Sequence, residues 1–314
     1  MAPFPVKVIR GAFGLAEHVA PRLSGRLAFE LFCRTPNPHK LNEREQRSVD
    51  QAAQFMAGAR RHCLTARSGR VVAHEFRPGP GTLPMGKVLV VHGWRSRTEH
   101  MKTLVEAFTA AGFKVIALDL PGHGQSAGRR LNMFTAVDAV RSVAEWFGPF
   151  QAVVGHSFGG AVAVNAAAGS VRNVPPLATD RLVLIAAPSS MPAIFEDFWR
   201  FLRLGPRTQT AVAETVARIA GRPLSSFVGA EQLARMDIPT LVVHAPDDRE
   251  VSPDEAKAFA AAGDHVTLAW ARGLGHRRIL ADPETAARAV RFVARVPEPA
   301  IARLPRVAIT RRAH

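Results

Sequence analysis

Ala152-Val153-Val154-Gly155-His156-Ser157-Phe158-Gly159-Gly160-Ala161-Val162-Ala163 is the stretch on which the reading of this chain turns. A short β-branched run enters it, Gly155-His156-Ser157-Phe158-Gly159 turns it, and an alanine-rich, helix-forming run leaves it. That order is the strand–turn–helix setting of a nucleophile elbow, in which a serine stands at the apex of a sharp turn. The apex residue takes a strained, positive-φ conformation, so the chain on either side comes close and needs residues without a Cβ. Gly155 and Gly159 occupy those two positions.

Working outward, strands are predicted at 87–92, 114–119, 151–154, 181–186, 240–244 and 265–270. The run Lys87-Val-Leu-Val-Val-His92 is continuously apolar, as in a parallel strand buried on both faces. Helical patterns lie between them at 99–111 and 134–147, with a last helix at 283–296. An antiparallel pair, 62–66 and 70–77, turns around Ser68-Gly69. This alternation predicts an α/β fold: a mostly parallel, doubly wound sheet covered by helices on both faces. Between about 189 and 237 a helical insertion without strands carries Phe195, Phe198, Trp199, Phe201, Leu202 and Leu204.

Residues 1–61 read as an N-terminal helical extension to a core at 62–296. Apolar residues recur at helical spacing through 4–33, with Pro21 expected to kink or divide the run. Two readings of this stretch stay open: a helix packed on the outside of the core, or a basic amphipathic helix resting on a bilayer. A turn-forming linker, Thr35-Pro36-Asn37-Pro38, leads to a second helix expected over 42–61 with Asn42 as its N-cap. Residues 297–314 read as a basic, poorly ordered tail.

The chain has 314 residues, of which 47% are hydrophobic, ample for a large core. No run approaches the roughly 18 apolar residues of a membrane span. Lys7, Arg10, Glu17 and His18 interrupt any signal-peptide core, and two cysteines cannot build a disulfide framework, so a cytoplasmic protein is expected. The net charge of +15 is concentrated at the ends. Residues 1–80 carry 13 Lys/Arg against 6 Asp/Glu, and 291–314 carry 6 Arg against 1 Glu. No helix-turn-helix, ribonucleoprotein or zinc-knuckle pattern accompanies that charge, so nucleic acid is not an expected partner. Weak attraction of the basic N-terminal helix to anionic membrane surfaces is the remaining electrostatic expectation.

A serine hydroxyl is a weak nucleophile and needs a base in reach, itself oriented by a third group. In doubly wound sheets such groups gather beyond the carboxyl ends of strands. After 240–244 comes Ala245-Pro246-Asp247-Asp248-Arg249-Glu250-Val251, and after 265–270 comes Ala271-Arg272-Gly273-Leu274-Gly275-His276. Ser157, an aspartate and then His276 follow one another in the chain order described for such triads.

With these residues in view, roughly 62–296 resembles a serine hydrolase of the α/β-hydrolase fold. Four motifs carry the resemblance: the elbow, His92-Gly93-Trp94, Asp119-Leu120-Pro121-Gly122-His123-Gly124-Gln125-Ser126, and Asp248 with Gly275-His276. The family pattern implies Asp248 as the acid, with Asp247 the competing candidate and Ala245 standing where glycine is more usual. It implies an oxyanion hole built from the backbone N–H groups of Trp94 and Phe158, and a role for Asp119 in organising its loop but not in catalysis. It also implies hydrolysis of a carboxylic ester or thioester through an acyl-enzyme on Ser157, without a cofactor. The aromatic insertion resembles a lid and suggests an apolar acyl or alkyl group, ordinary cap packing being the other reading. Acyl transfer, lactone or peptide hydrolysis and carbon–carbon cleavage use the same triad, and a hydrolase fold can also serve as a non-catalytic binding protein. His92, His123, His156 and His244 lie near strand ends but lack ligand spacing, so no metal is expected. The run Gly81 to Lys87 mimics a phosphate loop, yet Val88 stands where Ser or Thr is needed and a strand follows.

Overall fold

The computed structural model describes residues 4–38 and 40–295; the tail expected at 297–314 lies outside them. Helices α1 (Phe4–Val19) and α2 (Pro21–Cys33) open the chain, and Pro21 divides them from the first position of α2. Asn42 caps α3 (Glu43–Gln51) in a capping box: its side chain accepts the Glu45 amide while the Glu45 carboxylate accepts the Asn42 amide. The single helix expected over 42–61 breaks at Ala52 and ends with α4 (Ala53–Ala57). Arg60 and Arg61 instead begin β1 (Arg60–Ala66), where they pair with Glu75 and His74 of β2 (Gly69–Phe76).

The remaining strands and helices alternate: β3 (Gly86–Val91), α5 (Lys102–Ala110), β4 (Phe113–Asp119), α6 (Met133–Phe147), β5 (Phe150–His156) and α7 (Phe158–Ala167). Then come β6 (Thr179–Ile185), α8 (Met191–Leu202), α9 (Pro206–Ala220), α10 (Gly229–Leu233) and β7 (Thr240–His244). The chain continues through α11 (Pro253–Ala260), β8 (Val266–Trp270), α12 (Gly275–Arg278) and α13 (Pro283–Ala294). The helix expected from residue 99 begins as a 3-10 turn, Thr98–Met101. Helix α11 escapes the sequence reading, although Ser252, whose hydroxyl accepts the Asp254 amide, and Pro253 mark its start.

The eight strands form one sheet in the order β1-β2-β4-β3-β5-β6-β7-β8, in which β2 runs antiparallel to both neighbours and the other pairs are parallel. Successive side chains of a strand point to opposite faces. Leu89, Val91 and Val153 therefore join the apolar layer under α6 and α7, while Val88, Val90, Ala152 and Val154 join the layer under α5 and α13. Both faces of β3 and β5 are buried, which explains why their sequences lack polar alternation.

At the carboxyl end of β4 the buried Asp119 acts as a hub. Its carboxylate accepts the amide and hydroxyl of Thr98, the Gln125 amide and His74 Nε2–H. Burial pushes this carboxyl up, but the His74 hydrogen bond and charge and the Gln125 amide outweigh it and hold it well below the usual aspartate range. The hub thereby ties the two loops that follow β3 and β4.

The N-terminal helices pack on the insertion. Helix α2 lies against α9 so closely that a Cβ on Gly25 would fall 2.4 Å from Ala211 Cβ. Ser24 and Thr208 share a buried hydrogen bond of 3.0 Å. Gly205, the N-cap of α9, has no side chain; the carboxylate of Glu17 in α1 accepts the amides of Arg207 and Thr208 instead. A buried anion at a helix N-terminus satisfies orphan amides and the helix dipole together. Arg10 adds hydrogen bonds to the Phe201 carbonyl. Helices α1, α2, α8 and α9 thus form one cap.

Two outcomes follow. Gly25→Ala should lower stability by about 1–3 kcal/mol through overpacking, and adding Ala211→Gly should recover part of it; urea unfolding of the three proteins checks this. Asp119→Asn should cost about 3 kcal/mol at neutral pH. Because the folded carboxyl titrates below the ordinary value of 3.8, the wild-type advantage is complete above that pH and shrinks as pH falls further. Urea midpoints at pH 7, 5 and 3 would contradict this if the gap stayed constant.

Candidate active site

The elbow sits at the carboxyl end of β5, between β3 and β6. Ser157 takes φ +52° and ψ −126° and donates its amide to the Ile185 carbonyl at 2.9 Å. A Cβ on Gly155 would lie 2.3 Å from the Gly159 carbonyl oxygen, and one on Gly159 would lie 2.2 Å from that of Val91. No other residue fits either position, which is the steric reason for both glycines.

Ser157 Oγ is 3.0 Å from His276 Nε2, and His276 Nδ1 is 2.8 Å from Asp248 Oδ2. Burial raises the Asp248 carboxyl, but the His276 hydrogen bond and the amides of Val251 and Glu250 hold it below the ordinary value. An ionised carboxylate only accepts, so Nδ1 carries the imidazole proton and Nε2 accepts from the serine hydroxyl. The two adjacent aspartates separate cleanly: Asp247 accepts the Gly273 amide at 2.9 Å, steadying the loop that delivers His276, while Asp248 faces the ring.

Gly93 brings the loop after β3 against the serine, since a Cβ there would be 2.9 Å from Ser157 Cβ. Phe158 N–H is the first amide of α7, where helices have no internal acceptor. The Trp94 and Phe158 rings meet edge to face at 5.8 Å, so the two residues flank the serine together.

The four histidines singled out by sequence are ties. His92 Nε2 accepts the Leu120 amide, leaving Nδ1–H to donate to the Gly93 carbonyl. His123 Nε2 accepts the Arg95 amide while its Nδ1–H donates to the Pro121 carbonyl. Both rings are neutral in this arrangement, and burial pushes His92 down to about 3. His156 donates Nε2–H to the His276 carbonyl at 3.0 Å, steadying the histidine loop from the elbow itself. His244 lies behind Asp248, 3.5 Å from Oδ2, and donates to the Val251 carbonyl. Among the described residues no group of His, Cys, Asp and Glu is arranged to hold a metal ion.

Above Ser157 opens a cavity of about 520 Å³. Phe29, Leu31 and Phe32 line it from α2, Met191, Ile194, Phe195 and Phe198 from α8, and Val216 and Ile219 from α9. Phe32 stacks on Phe195 with ring centroids 4.2 Å apart and meets Phe198 edge to face at 5.1 Å. The aromatic stripe of the insertion therefore divides: Phe195 and Phe198 line the cavity, Leu202 and Leu204 are core, and Phe201 points outward. Sequence reasoning missed the contribution of Phe29 and Phe32; its faint signal is the small-residue face Ser24, Gly25 and Ala28 beside them on α2, which marks close helix packing.

Known proteins agree with this architecture. Residues 88–289 match the alpha/beta hydrolase family. A 76-residue segment is 34% identical to a monoacylglycerol lipase of Mycolicibacterium smegmatis, covering 24% of this chain and 25% of that protein. Over 221 residues the chain is 27% identical to the esterase YjfP of Escherichia coli, covering 66% of this chain and 88% of that protein. The esterase domain of a Rhodothermus marinus protein shares the fold, with a TM-score of 0.54 and 20% identity over 76% of this chain and 96% of that domain. The chain belongs to the alpha/beta hydrolase family.

Proposed function

We propose that the protein hydrolyses carboxylic esters or thioesters whose acyl group is apolar, through an acyl-enzyme on Ser157. The observation that carries the reading is the line of hydrogen bonds from Ser157 through His276 to Asp248 at the floor of an apolar cavity. Ser157 Oγ attacks the carbonyl carbon as its proton passes to His276 Nε2. Asp248 holds the ring in the tautomer this requires and stabilises the imidazolium. The carbonyl oxygen, now negative, is received by the amides of Trp94 and Phe158, each donor worth about 10²–10³ in rate. Collapse expels the alcohol or thiol, which takes the proton from His276 Nε2. Water then attacks the acyl-serine, with the same nitrogen as its base, and releases the carboxylic acid. No cofactor takes part in these steps.

The cavity wall argues for an apolar acyl group. Its lining is mainly aromatic and aliphatic, with Arg34, Arg95, Asp197, Glu250 and Glu255 among the lining residues, and each methylene transferred from water contributes about 0.8 kcal/mol at most. A monoacylglycerol lipase and an esterase among the relatives are in keeping with an ester substrate.

A series of p-nitrophenyl esters from acetyl to dodecanoyl tests the proposal. kcat/KM should rise with acyl length beyond acetyl, by up to about fourfold per methylene. Ser157→Ala should abolish turnover, Asp248→Asn should lower kcat by about 10⁴, and Asp247→Asn should stay within a few-fold of wild type. A maximum at acetyl with no activity on medium chains would remove the apolar pocket; full activity of Asp248→Asn would remove the assigned acid.

A further inference from the structure

The face of α1 and α2 turned away from α8 and α9 carries aliphatic and charged side chains side by side. Leu23, Leu27 and Leu31 of α2 recur every four residues, so they stand in one row, and all three are exposed, at 57%, 54% and 38%. Leu15 and Val19 at the end of α1 are exposed to 72% and 79%, just before the corner at Ala20. A row of large aliphatic side chains in water is unfavourable unless something covers it.

Beside the leucines runs a second row, Arg22, Arg26 and Glu30, with Arg34 just past the end of the helix. The three arginines are exposed, and the one carboxylate in the row is paired with Arg130. The other carboxylate of these two helices, Glu17, is buried in the cap and engaged with α9. The two helices therefore offer aliphatic side chains and positive charge together, with both of their carboxylates engaged. The row also leads somewhere: Leu31 lines the cavity above Ser157, as does the 37%-exposed Ile219 of α9.

We propose that α1 and α2 form a docking face for an anionic lipid surface. Leu23, Leu27 and Leu31 enter the boundary between headgroups and acyl chains, Arg22, Arg26 and Arg34 meet the headgroup phosphates, and the cavity mouth at Leu31 opens onto the lipid. The mode is that of an interfacial helix, with one face in the membrane and no helix crossing it; among the described residues none is long and apolar enough to cross. An acyl chain can then pass from the bilayer to the Phe29–Phe32 wall without crossing water. Only this last step rests on the ester-hydrolase reading; docking itself needs no catalysis.

The test is sedimentation of the full chain with vesicles of equal parts phosphatidylglycerol and phosphatidylcholine, and with vesicles of phosphatidylcholine alone. Wild type and Ser157→Ala should bind the anionic vesicles alike, at least about tenfold more tightly than the neutral ones, and lose that preference in high salt. Leu23→Glu/Leu27→Glu should weaken binding to anionic vesicles by at least about tenfold, and Arg22→Glu/Arg26→Glu should remove the preference for them. Both double variants should keep wild-type melting temperatures and wild-type turnover of butanoyl p-nitrophenyl ester. Failure of wild type to sediment with anionic vesicles would overturn the proposal, as would undiminished binding by Leu23→Glu/Leu27→Glu. A dimer in ultracentrifugation that the leucine variant splits would also overturn it, by assigning the row to a second copy. An inert wild type on soluble esters that still binds vesicles would count against the hydrolase reading alone.

Discussion

The backbone of Ser157 is the constraint on which the site depends. A non-glycine residue at φ +52° and ψ −126° costs about 1–3 kcal/mol and persists only when its surroundings over-determine it. Here β5 is fixed on both sides by parallel partners, the Ser157 amide is bound to Ile185, and α7 starts at the next residue. Gly155 and Gly159 let the two limbs of the turn approach each other and β3. The strain holds the hydroxyl out of the sheet, at the place where the loops after β3, β7 and β8 converge.

What converges there is held by hydrogen bonds from side chains to the backbone of the loops. His92 and His123 brace the loop carrying Gly93 and Trp94, His156 braces the loop carrying His276, and Asp247 braces the same loop through Gly273. Asp248 is the carboxylate in contact with the His276 imidazole, and that hydrogen bond together with the Val251 and Glu250 amides holds its carboxyl below the ordinary value. Preorganisation of this kind is the basis of electrostatic catalysis, since the donors need no rearrangement as charge develops. The cap adds a second kind of order. Its α2–α9 seam and the Glu17 carboxylate set the cavity wall, so N-terminal helices distant in sequence shape the space above the serine.

Much of this was legible in the sequence because it is local. The β-branched run, the Gly-x-Ser-x-Gly turn and the alanine-rich run specify strand, turn and helix within twelve residues. The meeting of Ser157 with His276 and an aspartate follows from the rule that strand ends gather functional groups. Which aspartate faces the ring was not fixed by residue type, because both lie in one turn and only the orientation of that turn separates them. The cap was less legible for a different reason: Ser24 and Thr208 meet across 184 residues, and helical periodicity says which face is apolar but not what covers it. The aliphatic row at Leu23 and Leu27 lay in the same pattern as buried Phe29, and only the packing of α9 tells the two faces apart.

The proposed chemistry stands or falls with Ser157 as the nucleophile. Its most direct measurement is peptide mapping by mass spectrometry after reaction with a long-chain fluorophosphonate, which mimics the tetrahedral intermediate. A single adduct is expected on the peptide bearing Ser157, formed rapidly by wild type, slowly by His276→Ala and not at all by Ser157→Ala. An unlabelled wild-type protein, or an adduct on another serine, would contradict that role.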